Sequence, residues 1–311
     1  MAALYVTSPG SGQGKTAVAL GLAQEWRQKG KKVVYIRVAP SPTAEGDAAF
    51  ARRLGLEAVL SSPGEVAGAF RHLQGQPDMV VVEGPPDLQE AWTALKAKVL
   101  LVAPFREGEE ALAKAATTLG SALLGVIINT VPRSRVDQAR KALTAVWQQR
   151  GSSLLGILPE ERALMAPTVG ELAEHFQAQV VSQDGMGELV EAFMVGAMMV
   201  DPAPTYFGRR EDKAVVTRRD RPDILLGALE TPTRCLLLTG GPGPIDRYVL
   251  ETAKLKGVPI LMVKDETAAT MVKLEEFMAG VRFRQEKKLP ALSRLLRENL
   301  DWPTLERGLG F

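Results

Sequence analysis

Cysteine is almost missing from this sequence. Cys235 is the one thiol in 311 residues. It sits in the apolar run Cys235-Leu236-Leu237-Leu238, so no internal disulfide can form and a reducing cytoplasm suits the chain. Histidine is nearly as scarce: His72 and His175 stand alone, without the paired spacing of a zinc site. Neither sign of charge dominates. Lys plus Arg number 38 against 36 Asp plus Glu, a formal net charge of +2, which gives no reason to expect nucleic acid or an anionic membrane as the main partner. The pairs Arg209-Arg210 and Lys287-Lys288 read as solvated faces. Long hydrophobic runs are missing too. The longest, from Leu189 to Val200, contains Glu191 and falls short of the roughly 20 residues of a membrane helix. Met1 to Val6 lacks the basic and apolar regions of a secretory signal, so a cytoplasmic protein is expected. No Gly-x-Ser-x-Gly turn and no Cys–His arrangement offers a covalent nucleophile.

What is present is the composition of a folded domain pair: 46% hydrophobic and 24% charged residues, in a length sufficient for two domains. Apolar strand patterns at Ala3–Thr7, Lys32–Val38, Met79–Glu83, Val99–Ala103, Leu123–Asn129 and Leu154–Leu158 alternate with helical patterns. The helices are expected at Lys15–Gln28, Ala44–Leu54, Pro63–Gln74, Leu88–Leu95, Gly108–Leu119 and Arg135–Arg150. Strands apolar on both faces belong in a parallel sheet covered by helices, which predicts an α/β doubly wound domain.

A short helix is expected at Val169–Phe176 and a linker at Val181–Gly185. A second, smaller α/β pattern then follows. It comprises a helix at Met186–Met199, a Pro- and Gly-rich loop at Pro202–Gly208, a strand at Ala214–Thr217 and a helix at Pro222–Leu229. It ends with a strand at Arg234–Thr239, a helix at Ile245–Lys256, a strand at Pro259–Val263 and a helix at Glu266–Met278. Met194, Met198 and Met199 read as core filler on the first of these helices. The domain limits are therefore 1–183, 186–280 and a helical tail at 281–311. Leu289, Leu292, Leu295, Leu296 and Leu300 share one face of that tail. The face is expected to dock on its own domain, with a dimer contact or a mobile tail as the alternatives.

The chemistry is concentrated near the N-terminus. Tyr5 to Thr16 runs through a strand, the turn Pro9-Gly10-Ser11-Gly12-Gln13-Gly14, and the helix start Lys15-Thr16. Glycines let successive N–H groups converge on phosphate oxygens, and the helix adds its positive end. This is a P-loop for ATP, with Gly10, Ser11, Gly12, Gln13 and Gly14 lining the phosphates. Lys15 reaches the β- and γ-phosphates as the catalytic cation, and the Thr16 hydroxyl binds Mg2+. Pro9 stands where the consensus has its first glycine. A Mg2+ ion needs carboxylates as well, and two acids qualify. Glu83 ends an apolar strand at the edge where ligands of such sheets bind, and Asp47 lies in the helix after the second strand.

These residues resemble dethiobiotin synthetase and, more closely, the N-terminal region of long bacterial phosphotransacetylases, over roughly residues 1–180. The resemblance rests on Val6-Thr7, Gly14-Lys15-Thr16, Arg37-Val38-Ala39-Pro40, Asp47, Glu83-Gly84, Gly125–Asn129 and Gly156–Glu160. It implies that Thr16, Asp47 and Glu83 hold Mg2+ and that Asn129 reads adenine. The second pattern resembles a DRTGG domain through Asp220-Arg221 and Thr239-Gly240-Gly241. That resemblance implies a regulatory role, by dimerisation into a homo-oligomer or by binding a small anionic ligand. Two departures count against dethiobiotin synthesis. Arg37 replaces a lysine on the substrate side, and Pro85-Pro86 replaces a Gly-rich turn. The expectation is therefore an ATP-binding sensor or switch. The alternatives are an ATP-dependent carboxylate-activating ligase and an interaction subunit for a phosphotransacetylase-type enzyme.

Overall fold

The computed structural model describes residues 1–311 except 39–42, 74–76, 107–108 and 198–202. The chain forms two compact units. One comprises Met1–Glu161 with Phe283–Phe311, the other Arg162–Arg282.

The first unit is built on strands β1 (Ala2–Thr7), β2 (Val33–Val38), β3 (Glu57–Ser61), β4 (Met79–Glu83), β5 (Lys98–Pro104), β6 (Leu123–Val131) and β7 (Leu154–Pro159). They form one seven-stranded sheet in the order β3-β2-β4-β1-β5-β6-β7, and every pair is parallel. Its helices are α1 (Lys15–Gln28), α2 (Ala44–Arg53), α3 (Val66–Arg71), α4 (Gln89–Ala94), α5 (Glu109–Leu119) and α6 (Val136–Gln149). β2 and β4 are buried along their whole length, which explains why they carry no polar alternation. β1 lies between β4 and β5, where the strand order reverses, so a crevice opens at its carboxyl end. The strand β3 is absent from the sequence reading. It is an edge strand with Glu57 and Leu60 exposed, and edge strands lack the continuous apolar run that reveals central ones.

The second unit holds α7 (Arg162–Met165), α8 (Val169–His175), β8 (Gln179–Val180), β9 (Ala192–Val195), α9 (Ala203–Phe207), β10 (Lys213–Arg218), α10 (Pro222–Leu229), β11 (Thr233–Thr239), α11 (Arg247–Leu255), β12 (Ile260–Met262) and α12 (Thr267–Gly280). Its five-stranded sheet has the order β8-β12-β11-β10-β9, with β8 antiparallel.

Three expectations fail in this unit. The helix expected at Met186–Met199 is replaced by β9, paired with β10. Met and Glu favour helix locally, but Gly187 and Gly196 break the run. A Cβ on Gly196 would also lie 2.5 Å from Ile224, so glycine permits that close approach. Met194 is buried in the core of this unit, while Met198 and Met199 lie outside the described residues. The loop expected at Pro202–Gly208 contains α9, whose Ala203 and Phe207 are buried. The segment read as a linker at Val181–Gly185 begins on a sheet bond, because Val181 N–H donates to the Ile260 carbonyl. α8 also packs in this unit's core, started by a capping box in which Thr168 and Glu171 bond reciprocally.

At Phe283 the chain rejoins the first unit and forms α13 (Leu289–Asn299) and α14 (Trp302–Leu309). The tail therefore docks on the P-loop unit and not on the domain that precedes it. The reason is shape. A Cβ on Gly21 of α1 would meet Leu296 at 2.4 Å, and one on Gly156 of β7 would meet Leu300 at 2.4 Å. Glycines on the P-loop unit thus leave room for the leucine face. Arg297 adds a 2.6 Å ion pair to the buried Glu25.

Candidate functional site

The site grows from the end of β1. Gly12 and Gly14 take left-handed backbone, φ 72° and 91°, which glycine adopts without strain. Gly14 is the N-cap of α1 and supplies no side chain there, so nothing from the cap residue fills the helix's positive end. A Cβ at Gly14 would lie 2.1 Å from the Asn129 amide nitrogen. That amide donates to the Gln13 carbonyl at 3.2 Å, which joins the end of β6 to the loop. Gln13 also accepts the Gly10 N–H at 3.0 Å. Lys15 curls over the turn, its Nζ 3.1 Å from Ser8 Oγ and 3.4 Å from the Gly10 carbonyl. Burial lowers the pKa of its ammonium, with Glu83 pulling the other way.

Thr16, one residue on, donates its hydroxyl to Glu83 Oε1 at 2.7 Å. Glu83 is fully buried, and its other oxygen accepts the Tyr35 hydroxyl at 2.5 Å. Burial raises the Glu83 carboxyl above its ordinary pKa, against the opposing pull of Arg37, Tyr35 and Thr16. Tyr35 is pushed well up by burial and by Glu83, so it stays a donor. Arg37 stands directly opposite Glu83 in the β2–β4 register. Its Nε lies 3.2 Å from Asp47 Oδ2 and 3.6 Å from Glu83 Oε1. Asp47, near the start of α2, is also held from the other side by Arg284 Nε at 3.0 Å.

The structure therefore gathers Lys15, Thr16, Glu83 and Asn129 around the glycine turn, and connects Asp47 to them through Arg37. Three members escaped the sequence reading. Tyr35 could have been found, since it shares a strand face with Arg37 two residues on. Ser8 is an ordinary turn residue, and Arg284 comes from a distant tail with no local signal. Of Arg37-Val38-Ala39-Pro40, the last two lie outside the described residues.

The fit to Mg2+ can be judged from these atoms. A hydroxyl and one carboxylate oxygen within 2.7 Å, beside a phosphate-receiving loop, match the sparse protein ligation that Mg2+ accepts alongside phosphates and water. Among the described residues no three His, Cys, Asp or Glu side chains form a metal cage.

The second unit's motif is arranged differently. Arg218 pairs with Asp220 at 2.6 Å and Arg221 with Asp223 at 2.7 Å. Gly240 and Gly241 turn with φ 87° and 81°, and their N–H groups donate to the carbonyls of Asp265 and Val263. Arg219 Nε donates to the Gly241 carbonyl at 3.2 Å.

Residues 4–172 match the CobQ/CobB/MinD/ParA nucleotide binding domain. The chain belongs to that family. Residues 171–277 match the DRTGG domain, so the two matches meet within α8. Over 96% of its length the chain is 24% identical to a phosphate acetyltransferase of Nitratidesulfovibrio vulgaris, covering 50% of that protein. It is 31% identical to a hydrogenobyrinate a,c-diamide synthase of Mycobacterium tuberculosis over 54% of this chain and 42% of the relative. With an ATP-dependent dethiobiotin synthetase of Saccharopolyspora erythraea the identity is 30%, over 45% of this chain and 68% of the relative. The chain spans about half the length of the phosphate acetyltransferases it matches. No helix among the described residues is long and apolar enough to cross a membrane.

Proposed function

We propose that this chain is a Mg2+–ATP-dependent switch, in which the P-loop unit binds the nucleotide and the DRTGG unit regulates it. The observation that carries the reading is the meeting of Lys15, Thr16 and Glu83 at the glycine turn, with Thr16 and Glu83 2.7 Å apart. Lys15 would leave Ser8 Oγ and the Gly10 carbonyl for the phosphates. Thr16 and Glu83 would hold Mg2+, which supplies charge neutralisation to the β- and γ-phosphates. The Asn129 amide would fix the loop's shape and face the base. Arg37 and Pro85 favour a switch over a synthetase. Arg37 Nε faces the Asp47 and Glu83 carboxylates, and the Tyr5 hydroxyl donates to the Pro85 carbonyl at 2.8 Å, so these two donors are engaged within the protein.

A ligase that activates a carboxylate with ATP is the second reading, favoured by the relatives at 30–31% identity. A role beside an acyltransferase follows only from the half-length match to phosphate acetyltransferases. The test is ATP binding by calorimetry, followed by turnover with and without a panel of small carboxylates plus ammonium. Binding with turnover that no carboxylate stimulates supports the switch. A carboxylate that raises turnover and is consumed supports the ligase. No ATP binding removes both.

A further inference from the structure

We propose that Arg37 is a built-in cation of the nucleotide site: it takes Asp47 out of the metal's coordination and shares Glu83 with the ion. The divalent cation is then held by Thr16 and Glu83 without Asp47. This rests on the Mg2+–nucleotide reading above and changes its ligand set.

Both Asp47 oxygens are committed. Oδ2 faces Arg37 Nε at 3.2 Å and Oδ1 faces Arg284 Nε at 3.0 Å. The second clamp is built into the unit. Arg284 also donates to the Thr43 carbonyl at 2.7 Å, and its own carbonyl accepts from Arg53 at 3.2 Å. Phe283 packs edge-on against Phe50 with centroids 5.8 Å apart. A Cβ on Gly46 would lie 2.5 Å from the Arg284 guanidinium, so glycine at that position gives the arginine its berth. On the other side, Glu83 Oε1 accepts from Thr16 and lies 3.6 Å from Arg37, while Oε2 is held by Tyr35. Oε1 is therefore the oxygen that the guanidinium and an incoming ion must share.

Charge supplies the consequence. Two buried carboxylates alone would present two negative charges to a divalent ion. With Arg37 and Arg284 in place their sum is zero, and Lys15 adds a positive charge beside them. Like charges at short range in a buried site repel strongly, so Arg37 lowers the affinity for the metal while meeting part of the charge demand of a bound phosphate itself. A purely structural ion pair would affect folding stability and leave metal affinity alone.

The experiment uses the full chain and Mn2+ as probe, with free ion followed by electron paramagnetic resonance, with and without a non-hydrolysable ATP analogue. Thermal unfolding of each variant runs in parallel. Arg37→Gln should bind Mn2+ about tenfold tighter than the unsubstituted chain, within the 10–100-fold range of changes around a metal ligand set. Arg37→Lys, which keeps the charge, should stay weak. Adding Asp47→Asn to Arg37→Gln should remove most of the gain, because the freed Asp47 carboxylate supplies most of it, and leave the smaller part that comes from relieving Glu83 of Arg37. Should Arg37→Gln fail to fold, Arg284→Gln takes its place: it frees Asp47 Oδ1 alone and should give a smaller gain. Unchanged or weaker Mn2+ binding in the folded glutamine variants overturns the proposal, as does a gain that Asp47→Asn leaves undiminished. The arm without nucleotide separates the two readings. If the analogue binds no variant, the nucleotide reading fails, while Mn2+ binding to Arg37→Gln alone still decides the role of Arg37.

Discussion

Each unit carries a glycine turn between a parallel strand and a helix, and the two turns treat charge in opposite ways. In the P-loop unit, Glu83 and Asp47 are buried, and the groups around them converge from β2, β4, α1 and the tail. In the DRTGG unit, Arg218 and Arg221 pair with acids two residues along the chain, at or near the surface. The helix ends differ too. α1 begins at Gly14, which has no side chain to cap it. α11 begins at Asp246, whose carboxylate accepts the N–H groups of Tyr248 and Val249. An uncapped helix end beside buried charge is prepared for an anion from outside, whereas α11 already has its own. Among the described residues of the DRTGG unit, Lys213 is the cation that burial moves strongly. Its pKa falls to about 8, and it donates to Thr231 and the Pro232 carbonyl just after α10.

The comparison breaks first, and most widely, at Lys15. Lys15→Ala leaves phosphate charge uncompensated in a half-buried loop, a loss of roughly 2–5 kcal/mol by analogy with truncated charge pairs. ATP calorimetry should therefore show binding weakened at least thirtyfold, roughly the lower end of that range. Arg218→Ala, made in the exposed pair of the other unit, should leave ATP affinity unchanged. Equal losses in both variants would erase the distinction between the turns.

The next effect is on stability. Leu296 is fully buried against Gly21, so Leu296→Ala should cost about 2–5 kcal/mol, the range for large-to-small core changes. Denaturant melting of the full chain measures it. Because the tail fills the groove on α1, ATP affinity should weaken as well. A chain cut near residue 183 is therefore a poor test of regulation: it removes part of the P-loop unit together with the second unit.

This docking also marks the limit of what the sequence discloses. The six strands expected in the first unit are all present, because buried parallel strands are apolar without interruption. The glycine turn with Lys15 and Thr16 was legible for the same reason: its chemistry is local. β9 was not, since Met186 to Met199 satisfies a helical pattern as well as a strand, and its pairing with β10 decides between them. Arg284 lies 237 residues from Asp47 along the chain, and only the fit of the tail brings them together. Asp47 and Glu83 could be paired from sequence as two acids at one sheet edge, but not the arginine between them.

Glu83→Gln sharpens the contrast between function and stability. Burial raises the Glu83 pKa above its unfolded value, so its contribution to stability is present below the unfolded pKa and is lost as pH rises through the folded one. At neutral pH the buried charge is therefore a burden, and Glu83→Gln should leave the melting temperature unchanged or raise it. That difference should shrink on acidification. Metal-dependent ATP affinity should fall about tenfold, a modest loss for a metal ligand set. In the unsubstituted chain it should fall as pH drops through the raised Glu83 pKa. A Glu83→Gln variant that melts much lower and keeps its metal dependence would make Glu83 structural.

The smallest effect tests the helix ends themselves. Asp246 caps α11, its carboxylate oxygen 2.8 Å from the Tyr248 N–H, and removing such a cap costs about 1 kcal/mol. Asp246→Ala should lower the melting temperature by a few degrees, the shift expected of about 1 kcal/mol in a chain of this size. The lost carboxylate also exposes the positive end of α11. Inorganic phosphate should then raise the melting temperature of Asp246→Ala more than that of the unsubstituted chain, by restoring an anion to the vacated position. α1 supplies the control. Gly14 has no cap to remove, and phosphate or ATP should stabilise the unsubstituted P-loop unit through Lys15. If phosphate stabilises the Asp246→Ala and unsubstituted chains equally, and Lys15→Ala removes both effects, then α11 is not an anion site even when uncapped. Regulation by the DRTGG unit would then need a surface other than this turn.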